Sequence, residues 1–235
     1  MQKSKRLGII RQYLLIHKDV KIEDLIDLIK VSESTIRRDV KFLANEGFLK
    51  EFYGSLVLVE RDSENLELYD RLTLNYEAKN EIAKKAAGYI KNDMTVFFDS
   101  GSTTFHTIKH ITAKNAIFIT NGINIAIELA RLGFHVQIIA GTLKMINLTI
   151  VGETAVNSLS NYHFDLALLG ANGFDNEGYS TPDYREGIIK QTIIKQSKKT
   201  FVLIDQSKYN KKTNYQFAKI KECGLITNAK GAEIK

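Results

Sequence analysis

Cysteine and long apolar runs are nearly absent from this sequence of 235 residues. Cys223 is the single cysteine, so no disulfide can form within the chain, and a reducing cytoplasm suits this composition. We expect Cys223 to be structural rather than nucleophilic, because no His/Asn partner set lies near it. No apolar stretch approaches the ~20 residues of a membrane span, and the N-terminus lacks the features of a signal peptide. These absences predict a cytoplasmic protein without a membrane span.

Metal-ligand spacing is also missing. The sequence positions of four histidines do not show the spacing to Asp, Glu or Cys that metal ligands have: His106, His110, His135 and His163. We therefore expect no metal site and no cofactor. What remains is an ordinary globular composition, with 44% hydrophobic and 26% charged residues. The net charge of +6 permits nucleic-acid binding without proving it.

The first sixty residues have the pattern of three short helices and a hairpin. Apolar residues recur at helical spacing over 3–17, over about 21–30 and over Ser32–Asn45. The last two helices are joined by a very short turn, which indicates a helix-turn-helix. Aromatic and β-branched residues over 48–59, broken at Gly54-Ser55, indicate a β-hairpin. The segment is therefore predicted to be a winged helix.

The third helix carries the candidate DNA-reading surface. We expect the Ser32 hydroxyl to cap its first turn and Gly47 to end it in the left-handed conformation. Ile36, Val40 and Leu43 form one buried stripe. The opposite face is basic and rich in hydroxyls, which bond base edges and phosphates, although an ordinary solvated face is the alternative. The candidate DNA-binding residues are Ser32, Ser34, Thr35, Arg37, Arg38 and Lys41 on this helix and Lys50 and Tyr53 on the wing.

This segment resembles the helix-turn-helix of DeoR-type bacterial transcriptional regulators. The resemblance rests on Val31-Ser32-x-Ser34-Thr35-Ile36-Arg37-Arg38-Asp39, followed by Leu43 and Gly47, and covers most of residues 3–59. Glu51 and Ser55 depart from it, since the family often has a basic residue and a second glycine there. We expect Asp39 to pair with a neighbouring arginine or to bond helix 2, because a carboxylate is out of place against phosphate. The resemblance implies double-stranded operator DNA as a partner.

From Tyr76 onward, short apolar strands alternate with helices, which indicates an α/β domain with a mainly parallel sheet. We therefore predict a winged helix-turn-helix domain over 1–59, a linker over 60–75 and an α/β effector domain over 76–235. The linker shows no Gly/Ser or Pro enrichment, so it is not expected to be a fully flexible tether. The predicted strands are 94–98, 116–120, 134–140, 164–169, 201–204 and 224–227.

Small, polar and glycine-rich residues follow five of these strands, where ligands of open α/β sheets bind. Residues 100–104 open a helix, so their backbone N–H groups and hydroxyls suit a phosphate. Lys208 adds a cation, and Asp99 and Asn172 suit sugar hydroxyls. Turns favour the same residue types, so one such loop is weak support. Five loops at one sheet edge favour a small anionic polyol as the ligand.

Residues 75–228 resemble the effector domain of the DeoR family, which is related in fold to ribose-5-phosphate isomerase. The resemblance implies a sugar-phosphate effector, with residues 99–104 as the phosphate loop. The isomerase has an Asp-Gly-Ala-Asp segment and a downstream lysine; the matching positions here are Gly-Ala-Asn-Gly at 170–173 and the region of Ser180-Thr181. Glu186 matches the isomerase base but stands without those partners, so we predict no catalysis. The predicted effector-binding residues are Asp99, Ser100, Gly101, Ser102, Thr103, Thr104, Asn121, Gly141, Gly170, Asn172, Gly173, Glu186 and Lys208.

The sequence thus predicts a DNA-binding transcriptional regulator that represses a carbohydrate-utilisation operon and is controlled by a sugar phosphate. Repression rather than activation is implied by the resemblance alone. Two-fold operators favour a homodimer or homotetramer. The alternative is a sugar-phosphate isomerase-like enzyme with an accessory helical domain, and a basic scaffold protein without a small ligand is a third hypothesis.

Overall fold

The computed structural model describes residues 3–17, 19–45, 47–52, 54–59 and 68–229. The chain divides into two compact units, Met1–Leu74 and Asn75–Lys235. No helix in these described ranges is long and apolar enough to cross a membrane. The three domain limits given by the sequence analysis stay a prediction.

The first unit is a winged helix, as predicted. Its three-stranded antiparallel sheet has the order β1-β3-β2, and Val20 of β1 pairs with Leu56 of β3. The sequence did not predict β1 or the short helix α4, since elements of three and six residues show no period. The elements are α1 (Lys3–His17), β1 (Asp19–Lys21), α2 (Ile22–Ile29), α3 (Glu33–Asn45), β2 (Leu49–Phe52), β3 (Ser55–Leu58) and α4 (Leu68–Thr73).

The helix α3 lies with its apolar stripe in the core of this unit. Ile36, Val40 and Leu43 are at most 3% exposed, which confirms the predicted stripe. Gly47 has φ +69°, and the following Phe48 N–H donates to the Leu43 carbonyl at 2.9 Å, so the predicted left-handed stop is confirmed.

The predicted cap by Ser32 is wrong. Its hydroxyl lies 3.2 Å from the Ser34 hydroxyl and 2.9 Å from that of Thr35, and it has no bond to a backbone N–H of the first turn. Three hydroxyls close together satisfy one another, which removes the need for a backbone partner. The first turn is closed instead by the Ser32 carbonyl, which accepts from Thr35 N–H and Ile36 N–H.

An ion pair joins α3 to α1. Arg6 Nε donates to Asp39 Oδ2 at 2.7 Å, and the Asp39 side chain is only 2% exposed. The hydrogen bond to Asp39 raises the pKa of Arg6. We expected Asp39 to pair with a neighbouring arginine or to bond helix 2, and its partner is an arginine, Arg6 of α1. The Asp39 carboxylate of α3 is therefore turned into the protein, whereas Glu33 of the same helix is exposed.

The second unit has a six-stranded parallel sheet with the order β14-β12-β9-β4-β5-β6, which confirms the predicted fold class. Its main elements are α5 (Tyr76–Ala87), β4 (Thr95–Phe98), α6 (Ser102–Thr107), β5 (Ile117–Thr120), α7 (Ile123–Arg131), β6 (His135–Ile138), β7 (Thr142–Lys144), β8 (Thr149–Val151), α8 (Glu153–Leu159), β9 (Leu166–Gly170), β10 (Gly173–Phe174), β11 (Gly178–Thr181), α9 (Tyr184–Lys195), β12 (Thr200–Ile204), β13 (Tyr215–Lys219) and β14 (Gly224–Thr227).

Both faces of the central strands of the parallel sheet are covered, which is why β4, β9 and β12 have nearly unbroken apolar sequences. Val96 and Phe98 of β4 pack in one apolar cluster with residues of α5 and α7. Phe97, between them, packs in a second cluster with residues of α8 and α9. The carboxyl ends of β4, β5 and β9 therefore reach one edge, between the two helical layers.

Two small antiparallel structures were not predicted. One is the hairpin of β7 and β8, and the other is the three-stranded sheet β10-β11-β13. Gly187 of α9 lies so close to this small sheet that a Cβ at residue 187 would be 2.2 Å from the Tyr215 ring. Cys223 lies against the same region, and burial raises the pKa of its thiol to about 12. A protonated, buried thiol fits the structural role expected for it.

Replacing Asp39 by Asn should lower the melting temperature of the first unit by roughly 5 °C or more, since Arg6 loses its buried counter-charge. Asp27→Asn is the matched control, because the Asp27 side chain is 85% exposed. Thermal unfolding followed by circular dichroism measures both. Equal melting temperatures for the two variants would show that the ion pair does not hold α1 and α3 together.

Candidate functional site

The helix α3 presents a polar face to solvent. Ser34, Arg38 and Lys41 are exposed on the side opposite the apolar stripe, as predicted. Arg38 Nε donates to the Ser34 carbonyl at 3.2 Å, which holds the guanidinium along this face. The face carries cations and hydroxyls, which are the groups that contact phosphates and base edges. Contact with DNA itself stays a prediction for these residues.

Arg37 pairs with carboxylates of the protein, whereas Arg38 bonds only a backbone carbonyl among the contacts described. Its Nε donates to Glu33 at 2.8 Å, which raises the pKa of Arg37, and Glu51 of the wing lies 4.0 Å away. Thr35 is half-buried and Ser32 is exposed. Lys50 is exposed on β2, whereas Tyr53 lies outside the described residues.

In the second unit, the Asp99 carboxylate joins three strand ends. Its Oδ2 accepts from the Gly170 N–H at 2.9 Å, and its Oδ1 accepts from Asn121 Nδ2 at 3.3 Å. Lys190 of α9 donates its ammonium to the same carboxylate, and the side chains of both residues are at most 6% exposed. Asp99 thus binds the ends of β5 and β9 and the middle of α9 to the end of β4.

The loops at this edge are packed tightly. Asn121 Oδ1 accepts from the Ser100 N–H at 3.1 Å, and Thr104 donates its hydroxyl to the Asp99 and Gly101 carbonyls at 2.6 Å each. A Cβ at Gly170 would lie 3.7 Å from the Cα of Gly101. The structure therefore brings together the predicted residues at 99–104, Asn121 and Gly170.

A second cluster surrounds Glu186, in the first turn of α9. Its Oε1 accepts from Lys144 Nζ at 2.9 Å and from Asn147 Nδ2 at 2.8 Å. Its Oε2 lies 3.5 Å from the Thr181 hydroxyl, which is 3.4 Å from Asn172 Oδ1. The positions that match the isomerase's carboxylates and downstream lysine hold none of those residues, but a lysine from another element, Lys144 of β7, lies beside Glu186.

Lys144 bridges two carboxylates, since Asp183 Oδ2 is also 2.9 Å from its Nζ. Burial alone would lower the pKa of Lys144, but hydrogen bonds to Glu186 and Asp183 outweigh it and raise the pKa. Asp183 caps α9 and also accepts from Arg185; the Arg185 guanidinium and Lys144 hold the pKa of Asp183 well below its usual range. Lys144, Asp183 and Arg185 are therefore charged at neutral pH.

The other predicted effector-binding residues lie less centrally. A Cβ at Gly173 would meet the Lys211 carbonyl at 2.4 Å, so this glycine permits a close backbone approach. Gly141 is packed against Ile150, Val151 and Ala155, and its φ of +147° favours glycine. Lys208 ends the 3₁₀ turn after β12 and is half-buried. Ligand contact by any of them stays a prediction.

Sequence reasoning missed Lys190, Lys144 and Asn147. A signal for Lys190 existed, since it follows Glu186 by four residues and so shares its helix face. No local pattern marks Lys144 or Asn147, because their partners lie about forty residues away in the chain. In the described part of the chain, no group of three or more His, Cys, Asp and Glu is arranged to hold a metal ion.

Comparison with known proteins gives matches to both units. Residues 6–62 match the DeoR-like helix-turn-helix domain, and residues 74–229 match the DeoR C terminal sensor domain. The uncharacterized HTH-type transcriptional regulator FruR of Bacillus subtilis (strain 168) is 34% identical over 213 residues, which cover 90% of this chain and 85% of that protein. The glycerol-3-phosphate regulon repressor of Escherichia coli (strain K12) is 32% identical over 196 residues, covering 82% and 77%.

Among solved structures, a ribose 5-phosphate isomerase A from Methanocaldococcus jannaschii aligns with a TM-score of 0.44 and 18% identity, over 59% of this chain and 56% of that one. The family matches extend over most of the chain and agree with the resemblance found in the sequence. The chain belongs to the DeoR family of helix-turn-helix transcriptional regulators.

Proposed function

We propose that this protein is a DNA-binding transcriptional repressor controlled by a sugar-phosphate effector. The observation that carries the proposal is the solvent-facing basic surface of α3 within a winged helix. Ser34, Arg38 and Lys41 are exposed there, while the acidic Asp39 is turned inward to Arg6. A surface of this kind suits the major groove of DNA, with Lys50 on the wing toward the backbone.

Replacing Arg38 by Ala should weaken operator binding by about 1–3 kcal/mol, because a guanidinium that contacts bases or phosphates is lost. The control is Lys85→Ala, which removes one positive charge from an exposed ion pair in the second unit. Gel-shift titration at fixed salt compares both with the unchanged protein. Arg38→Ala binding as tightly as the control would contradict the assignment of this helix face.

The effector proposal rests on the edge of the parallel sheet. Gly101 precedes α6 and has no side chain with which to cap it, so the first N–H groups of that helix suit an anionic oxygen. Buried polar side chains surround the same edge. The Escherichia coli relative is named for a glycerol-3-phosphate regulon, which supports a phosphorylated polyol. The effector acts by its different affinity for the DNA-binding and released states, typically about 1–3 kcal/mol of coupling.

Replacing Lys208 by Ala should abolish the response to the effector and leave operator binding intact, since the cation expected to face the phosphate is removed. Lys221→Ala is the control, because Lys221 is an exposed lysine elsewhere in the same unit. Operator release is titrated with sugar phosphates in a fluorescence-anisotropy assay. If the Lys208→Ala variant still releases the operator at normal effector concentrations, the phosphate site lies elsewhere.

We also propose that the protein does not isomerise sugar phosphates. Glu186, the residue aligned with the isomerase base, is held by Lys144 and Asn147, and the segment 170–173 has no carboxylate. A general base needs a free carboxylate and a group that stabilises the developing enediolate. Purified protein should therefore show no turnover of pentose or hexose phosphates. Turnover that disappears in Glu186→Gln would establish the enzyme instead.

We further propose that the protein forms a homodimer or homotetramer and is located in the cytoplasm. A two-fold operator requires two copies of the reading helix, about one helical turn of DNA apart. Sedimentation equilibrium with and without operator DNA measures the oligomeric state.

A further inference from the structure

Among the described residues, two asparagine side chains of the second unit, Asn147 of the Glu186 cluster and Asn124 of α7, have buried amide atoms without a hydrogen-bond partner. Asn147, in the 3₁₀ turn after β7, is 8% exposed, and its Oδ1 has no partner among the described residues. Asn124, in the first turn of α7, has neither an Oδ1 nor an Nδ2 partner in the same part of the structure. Buried amide groups in native proteins are nearly always hydrogen-bonded to protein or to ordered water, so these atoms call for a partner outside the polypeptide, either water or a bound molecule.

The orientation of the Asn147 amide is fixed by its neighbour. Its Nδ2 donates to Glu186 Oε1 at 2.8 Å, and a carboxylate oxygen can only accept. The unpartnered atom is therefore the carbonyl oxygen, which accepts a hydrogen bond and repels other acceptors. A phosphate or carboxylate oxygen does not fit there, whereas a hydroxyl does.

The two asparagines belong to adjoining segments of one sheet edge. Ile123 N–H donates to the Leu148 carbonyl at 2.9 Å, which joins the residue before Asn124 to the residue after Asn147. The Ile150 N–H donates to the Asn121 carbonyl at 2.7 Å, next to the Asp99 cluster. The hairpin of β7 and β8 thus carries Asn147 to the start of α7.

A hydroxyl group matches both side chains. Asn124 offers an acceptor and two donors, and a hydroxyl both donates and accepts. Neighbouring hydroxyls on one carbon chain would satisfy the amide of Asn124 and the carbonyl oxygen of Asn147. The chemistry at this point of the edge therefore suits the hydroxylated carbons of a polyol rather than its phosphate.

We propose that Asn124 and Asn147 bind hydroxyl groups of the effector and determine which sugar phosphate is recognised. The inference rests on the proposed function, because it assumes a sugar phosphate at this edge. It assigns the two asparagines a role in specificity, separate from the phosphate site predicted at residues 99–104.

Asn124→Leu is the decisive variant. The Asn124 amide has no partner in the part of the chain that the structure describes, so its removal should leave the melting temperature of the free protein unchanged or raise it. The same change should weaken binding of the sugar phosphate about tenfold or more, because the hydroxyl loses its partner and must still be desolvated. A merely structural asparagine would give the opposite result for the free protein, a lower melting temperature.

The experiment measures thermal shifts of the full chain with glycerol 3-phosphate, ribose 5-phosphate, fructose 6-phosphate and glucose 6-phosphate. The sugar phosphate that stabilises most is then titrated by calorimetry into the unchanged protein, Asn124→Leu, Asn147→Ala and the control Asn157→Ala. Asn157 is an exposed residue of α8 in the same unit. We expect a large loss of affinity for the first two variants and none for the control.

Each other outcome has a definite meaning. If the chosen sugar phosphate binds Asn124→Leu and Asn147→Ala as tightly as the control, the asparagine inference is wrong and the proposed function stands. A lower melting temperature of free Asn124→Leu also overturns the inference. If none of the four phosphates stabilises the unchanged protein at millimolar concentration, the sugar-phosphate proposal itself fails, and the inference fails with it.

Discussion

The second unit depends on one buried carboxylate. Asp99 sits at the end of β4 with the Gly170 N–H, the Asn121 amide and the Lys190 ammonium as its donors. A carboxylate removed from water is costly unless donors and a counter-charge surround it, so these groups must stay together. The requirement fixes the loops after β4, β5 and β9 relative to α9, and with them the shape of the sheet edge.

The same helix is attached to the edge at a second point. Glu186, one turn before Lys190, is held by Lys144 and Asn147 of the β7–β8 region. Two oppositely charged residues on one face of α9 therefore each bind a partner from another element. A ligand that rearranges either attachment would act on α9.

Much of the fold could be predicted from the sequence, because its larger elements have strong periods. The stripe of Ile36, Val40 and Leu43 and the apolar strand at residues 95–98 are read from local spacing alone. The sheet of β10, β11 and β13 was missed, since these strands lack the apolar runs of the parallel sheet and depend on pairing with distant segments. The site was predicted in part for the same reason. Residues after strands could be recognised, whereas Lys144 and Lys190 take their positions from tertiary contacts.

The close approach of Gly187 to Tyr215 restricts how this chain can vary. A methyl group at residue 187 would overlap the tyrosine ring, so α9 would have to move away from the small sheet. Such a movement would displace Glu186 directly and strain the contact of Lys190 with Asp99. The absence of a side chain at residue 187 is therefore part of what keeps the two charged residues of α9 in reach of their partners.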